Sequence, residues 1–256
     1  MKHTTQPGIE RSARVTEHDQ HPRPYVEDFQ HGPGGWLGWS SNRAGAKPLK
    51  IVEGAAISEG PWWIDYNHAP PGGGYLHLLF ALHTHHWEGF PAQYLDMGGP
   101  NRFVREGHSR DFTNVRIRTR LRGEVDMQGA RCALLVQSKL ADKYVNCVFL
   151  GETFEIGPEW RWQSITLAPD PAQWVALGAR HDRTGTYGDA AITDVLRDVN
   201  GDIILVLFPL NVKPAEPVHG DMHHRRAGED YSVDQTLLPD GYVMMDEIRI
   251  EWDKDV

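Results

Sequence analysis

The residue types able to do chemistry gather in the first third of this 256-residue chain. His83-Thr-His85 sets two imidazoles at i, i+2, a spacing that puts both on one face of an extended strand, with His77 on the same face. Two such nitrogens, completed by a distant nitrogen or carboxylate, make a workable site for zinc or another transition metal such as manganese or iron. The completing group can come from His219, His223 or His224 in the late polar run, of which His223 is the first choice, and Glu88 and Asp65 add oxygen donors or a base. The plainer alternative is that these histidines line a polar groove or cover a sheet, bonded to carboxylates.

A second constellation overlaps the first. Trp36, Trp39, Trp62, Trp63, Tyr66, Tyr75 and Trp87 crowd this region, with Asn42, Asp65, Asn67 and His68 among them. A sugar ring offers an apolar C–H face that stacks on indole and a rim of hydroxyls that needs amides and carboxylates, so the mixture suits a glycan groove. Trp36, Trp39, Trp63, Tyr75, His77 and Trp87 are the expected ligand contacts. With nine tryptophans in the chain, at least half are expected to be structural anchors. Gly-x-Ser-x-Gly, phosphate-loop and dinucleotide fingerprints are absent. Carboxylates available for acid–base work are Asp65, Glu88, Asp96, Glu152 and Glu155, without a spacing that singles out a pair.

These side chains need strands to hold them. Tyr75 to Trp87 follows the breaker run Pro70-Pro-Gly-Gly-Gly74, and a period of two places Leu76, Leu78, Phe80 and Leu82 on a core face. The opposite face then carries Tyr75, His77, Leu79, Ala81, His83, His85 and Trp87. Val115, Ile117, Thr119 and Leu121 alternate with Arg116, Arg118, Arg120 and Arg122, the pattern of a half-buried strand whose arginines meet acidic cross-strand partners or an anionic ligand. Further strands are expected at Cys132 to Gln137, Tyr144 to Leu150, Trp160 to Leu167 and Ile203 to Phe208. In the last strand, Tyr242 to Trp252, the alternation groups Asp246 with Met244, Ile248, Ile250 and Trp252, so Asp246 must be paired or bound to metal. One helix is expected, with Asp189 as N-cap and Ile192, Val195, Leu196 and Val199 as its apolar stripe. Asp170-Pro171 adds one helical turn.

Composition limits the classes. The 26 Gly and 17 Pro punctuate the chain too often for a helical bundle. The net charge of −9 argues against nucleic acid as a partner. No run approaches the roughly 18 apolar residues of a membrane span. Met1 to Pro24 has no apolar signal core, so the chain reads as cytoplasmic or as lacking its signal. Cys132 and Cys147 read as free buried thiols.

Glu27-Asp28-Phe29, followed by Gly34-Gly35-Trp36, and the closing Gly241-Tyr-Val-Met-Met-Asp246-Glu-Ile-Arg-Ile250 resemble the first and last strands of galactose-binding-like jelly rolls. That group includes many carbohydrate-binding modules. Asp111-Phe-Thr-Asn-Val-Arg-Ile-Arg and Trp162-Gln-Ser-Ile-Thr-Leu resemble its middle strands, so the likeness runs from about Tyr25 to Trp252. It implies that the first and last strands pair and that a structural calcium sits beside them, held by Glu27 or Asp28, by Asp246 and by Glu53. The length of 256 residues exceeds that of a typical single module of the group. His83-Thr-His85 also resembles part of the first motif of cupins, though the Glu spacing departs from it and the second motif is missing.

The expectation is therefore an all-β jelly-roll sandwich over residues 25–256, with one short helix, long loops and a flexible arm over 1–24. The leading reading is recognition of a carbohydrate or similar polyhydroxylated ligand. The alternative is a metal-assisted hydrolase, lyase or isomerase working through His83 and His85. A third reading is an oligomeric interaction protein that uses the arginine strand.

Overall fold

The computed structural model describes residues 22–41, 45–65, 67–68, 75–85, 96–179, 183–211 and 234–252. In chain order its strands are β1 (Tyr25–Glu27), β2 (Trp36–Ser41), β3 (Gly45–Pro48), β4 (Lys50–Val52), β5 (Ala55–Glu59), β6 (Ile64–Asp65) and β7 (Leu76–His83). There follow β8 (Arg116–Asp126), β9 (Arg131–Leu140), β10 (Lys143–Phe154), β11 (Arg161–Thr166), β12 (Trp174–Ala176), β13 (Tyr187–Gly188), β14 (Asp202–Phe208) and β15 (Asp240–Glu251). They form two sheets. One runs β11-β8-β15-β5-β4, with β1 also on β15; the other runs β12-β10-β9-β14-β7-β2-β3, with β13 on β10 and β6 on β7. All pairs are antiparallel except β10 with β13. This is the expected all-β sandwich, and β1 pairs β15 with Tyr25 opposite Ile250.

The six-stranded sheet has one wet face, and its sequence says so. Ile117 and Leu121 of β8 join the core, while the arginines between them stand outside. Arg116 and Arg118 each lie 3.7 Å from Glu251, Arg120 lies 2.7 Å from Asp246, and Arg122 lies 3.7 Å from Glu53. Arg118 and Arg249 flank the Trp162 ring, and Arg120 and Arg122 stack on Trp160. The arginine rank thus meets the acidic cross-strand partners that the alternation allowed.

The nine-stranded sheet is apolar on both faces. Phe80, Leu82, Leu134, Val136, Leu205 and Leu207 face the six-stranded sheet, whereas Leu76, Leu78, Ala81, Leu135, Ile204 and Val206 form a second cluster on the far side. A strand buried on both faces carries a continuous apolar run, as Ile203-Ile-Leu-Val-Leu-Phe208 does, and loses its period-two signal.

Two bulges correct the expected faces. The pairing of β7 with β14 shifts between Leu205 and Val206, which leaves Leu79 as the extra residue between Leu78 and Phe80. Leu79 and Phe80 both enter the inter-sheet core, so Leu76 and Leu78 fall on the opposite face from Phe80 and Leu82. In β15 the register shifts between Met245 and Glu247. Asp246 is the extra residue, and the core side holds Val243, Met245, Ile248 and Ile250, not Met244 with Asp246. Met244 instead lies under Arg122, whose Nε donates to its sulfur at 3.4 Å.

The helix Ile192–Arg197 buries Ile192, Val195 and Leu196 as expected. Its N-cap is Ala191, which makes no side-chain cap bond, in place of Asp189; the extended chain simply runs two residues further before turning. A second helix, Arg102–Arg105, went unanticipated because it is one turn long, capped by Asn101. Asp170 caps the turn Pro171–Gln173 as its sequence implied. Cys132 and Cys147 are free and buried on neighbouring strands.

Candidate functional site

On the far face of the nine-stranded sheet lies a cavity of about 340 Å³. Its floor is hydrocarbon: Leu76, Leu78, Ala81, Leu135 and Ile204. One step along the strands, register sets a polar row across four neighbours. Asn146 of β10 stands opposite Gln137 of β9; Gln137 lies one residue past the Val136–Ile203 pair, beside Asp202 of β14; and Asp202 pairs His83 of β7. At a strand spacing of about 4.8 Å the row spans roughly 14 Å.

A short strap bridges this surface. β6 pairs the start of β7, with Asp65 opposite Leu76, and the chain reaches from there to β10 by His68. The strands β14 and β9 lie between those two anchor points. His68 is fixed by donating from Nδ1 to the Gly178 carbonyl at 2.8 Å, while its Nε2 accepts from Asn146 Nδ2 at 3.1 Å. Asn146 Oδ1 in turn accepts from Gln137 Nε2 at 2.8 Å. Trp39 and Trp63 line the other flank with ring centroids 6.4 Å apart, and Tyr144 and Tyr187 complete the wall.

The electrostatics follow from burial and neighbours. His83 Nδ1 donates to Asp202 Oδ1, and the two form an ion pair when the ring is protonated. Burial works against the charge on His83, but the charge and hydrogen bond of Asp202 outweigh it, and the imidazole titrates above its ordinary value. Burial also raises the phenols of Tyr144 and Tyr187; Asp202 adds to the first and Asp65 to the second, so both stay protonated donors at neutral pH. Asp65 Oδ1 accepts from the Asn67 amide at 2.7 Å, and Oδ2 lies 3.6 Å from His68 Nε2.

Of the residues expected from the sequence, Asp65, Trp39, Trp63 and His83 line the cavity. Others stand elsewhere. Trp36 is wholly buried between the sheets, where Nε1 donates to the Tyr25 hydroxyl at 3.0 Å. Tyr75 packs against the same core. His77 is turned inward by the bulge, donates from Nδ1 to the Trp63 carbonyl at 3.0 Å, and is lowered by burial to about 4. His85 lies past the end of β7 at the surface, where Nδ1 accepts from Arg110 at 3.0 Å. Thr84, bonded to the carbonyls of Val199 and Gly201, fixes the chain between the two histidines. Trp87, Glu88, His219, His223 and His224 lie outside the described residues.

Among the described residues, no three His, Cys, Asp or Glu side chains stand together as a metal-binding group. The carboxylates assigned to calcium have protein partners. Glu27 is buried, accepting from the Phe29 amide at 3.1 Å and from Arg102 at 3.3 Å. Asp28 caps the Gln30 amide, Glu53 points into solvent near Arg122, and Asp246 is held by Arg120.

Sequence reasoning missed Gln137, Tyr144, Asn146, Tyr187 and Asp202. A signal was present for three of them: Gln137 and Asn146 interrupt apolar strands and Asp202 opens one, and a polar group in such a run needs a partner or a ligand.

No family description and no curated protein matches the chain. One solved structure that does match comes from work on endo-acting O-glycanases that human gut microbiota express to initiate mucin breakdown. The match covers 89% of this chain and 98% of the other, at 12% identity and a TM-score of 0.34. So loose an overlap leaves the functional reading to the cavity itself.

Proposed function

We propose that the cavity over the nine-stranded sheet binds a carbohydrate or similar polyhydroxylated ligand. The observation that carries this reading is the pairing of two tryptophans, Trp39 and Trp63, with an opposing wall of amides, carboxylates and phenols in one space of about 340 Å³. That volume lies at the small end of ligand sites and suits one or two sugar rings. The indoles take the C–H face of the ring. Asn146, Gln137, Tyr144, Tyr187 and Asp202 meet its hydroxyls. Trp39 Nε1, buried and unbonded, is a further donor for a hydroxyl. Titration of the full chain with neutral mono- and disaccharides, by calorimetry or ligand-observed NMR, tests this: saturable binding that weakens at least tenfold in Trp63→Ala is expected. Binding by no sugar, or unchanged binding in both Trp63→Ala and Asn146→Ala, rejects it.

One observation favours an enzyme acting on the same ligand class. His83 is oriented by Asp202 at the cavity wall, an arrangement that can hold and return a proton in general acid–base catalysis. The expected signature is turnover of a bound sugar that falls about 10²–10⁴-fold in His83→Ala. A metal-assisted version draws further ligands from His223 and its neighbours, and elemental analysis of the purified protein tests it.

A further inference from the structure

We propose that the ligand carries a positive charge, an amino sugar with a free ammonium group seated at Asp65. This rests on the carbohydrate reading for the ring and adds the charge. The lining residues bring an unequal set of charges. Asp202 is matched by His83, but Asp65 is not matched: its other contacts are the Asn67 amide and His68. Both ring nitrogens of His68 have hydrogen-bond partners elsewhere, Nδ1 in the Gly178 carbonyl and Nε2 in Asn146, and the ring stands 3.6 Å from Asp65, beyond hydrogen-bond distance. No lysine or arginine is among the described lining residues; the guanidinium of Arg183 acts on Tyr187 from outside the lining. Asp65 is therefore a carboxylate in a largely desolvated wall, 13% exposed, with no cation among the described residues in hydrogen-bond contact.

The surroundings suit a cation. Trp39, Trp63, Tyr144 and Tyr187 share the cavity with Asp65, and aromatic faces attract ammonium groups. The floor of Leu76, Leu78 and Ala81 offers a bound cation no hydrogen-bond partner, so its polar contacts fall to the walls. An acidic sugar would bring a like charge beside Asp65, which disfavours uronates and sulfated rings. An N-acetylated ring loses the charge and with it the advantage.

The test uses the full chain and sugars that share the pyranose ring and differ at one substituent, glucosamine, glucose, N-acetylglucosamine and glucuronate, repeated with the galacto series, together with tetramethylammonium as a cation without a ring. A charged hydrogen bond in such a setting is worth about tenfold to a hundredfold in affinity. Amino sugars are expected to bind by that factor more tightly than the neutral parents, with acetylated rings no better than neutral and uronates weakest. Asp65→Asn keeps an oxygen for the Asn67 amide, so the turn is retained, and it is expected to erase the amine advantage, bringing amino sugars level with their neutral parents. The amine advantage should also shrink between 50 and 500 mM salt, whereas glucose affinity should hold. Equal or tighter binding of the neutral or acidic sugar, or an amine advantage that survives Asp65→Asn, overturns the proposal. If tetramethylammonium binds through Asp65 and no sugar does, the carbohydrate reading falls and the charge assignment stands. If nothing binds, both fall.

Discussion

Replacing Asp202 by Asn removes the charge beside His83 and keeps the shape of its partner. In the parent, the His83 and Asp202 side chains are 7% and 15% exposed, so solvent screens the pair little. A hydrogen bond between charged groups in such a place contributes about 1.5–3 kcal/mol. For a chain of this size that corresponds to a melting temperature lower by roughly 3–6 °C. The pH dependence gives the sharper test. His83 titrates above its ordinary value in the folded parent, so the pair's contribution is fully present below the unfolded value of about 6.5 and is lost as pH rises through the folded value. In the variant the charge of Asp202 is gone and burial, which lowers His83, becomes the leading influence. Its folded form then loses stability as pH falls below about 6.5. The gap between parent and variant is therefore widest near pH 5.5 and narrowest near pH 9. Thermal unfolding across that range, with an NMR titration of the His83 ring, measures it. A gap that is constant with pH, or a His83 titration that does not move, would falsify the ion-pair account.

The two tryptophans nearest in sequence should part in their effects. Trp36→Ala is expected to cost about 3–5 kcal/mol of stability, as for other fully buried aromatics, whereas Trp39→Ala should cost much less stability and lower ligand affinity. At the seam of β1 and β15, Arg102 and Arg120 hold Glu27 and Asp246, so a chelator is expected to leave the melting temperature unchanged; a fall of several degrees would place the calcium of the family resemblance there. Asp246→Ala removes a half-exposed partner of Arg120 and should cost less than about 1 kcal/mol by denaturant titration.

What could be read from the sequence depended on how many faces of a strand are wet. The β8 alternation of Val115 to Arg122 was legible because its arginines stand in solvent. The central strands β10, β9, β14 and β7 of the nine-stranded sheet were found, but apolar residues cover both faces, and the one orientation offered, for β7, fails at its bulge; β2 reads in sequence as part of a Gly- and Trp-rich loop. Leu79 and Asp246 each insert one residue into a ladder, and nothing in their residue types announces a bulge. The tryptophans and Asp65 pointed to the right region, and Asn67 and His68 were seen beside them. Gln137, Asn146 and Asp202 were not, because each takes its role from register with a strand far away in sequence.

The bulge in β7 also decides which chemistry the cavity can offer. Had Leu79 taken an ordinary place in the ladder, with the His83 end of the strand held, regular alternation would turn His77 outward and bring Leu76 and Leu78 into the core. At about 3.3 Å per residue the two imidazoles would stand roughly 20 Å apart, too far to share a metal, and the floor would lose two of its leucines. With Leu79 bulged, the cavity presents one imidazole beside hydrocarbon, a surface disposed to hold an organic ring. Deleting Leu79 would close the bulge and leave every other residue on its present face, so that surface rests on register and not on the extra side chain.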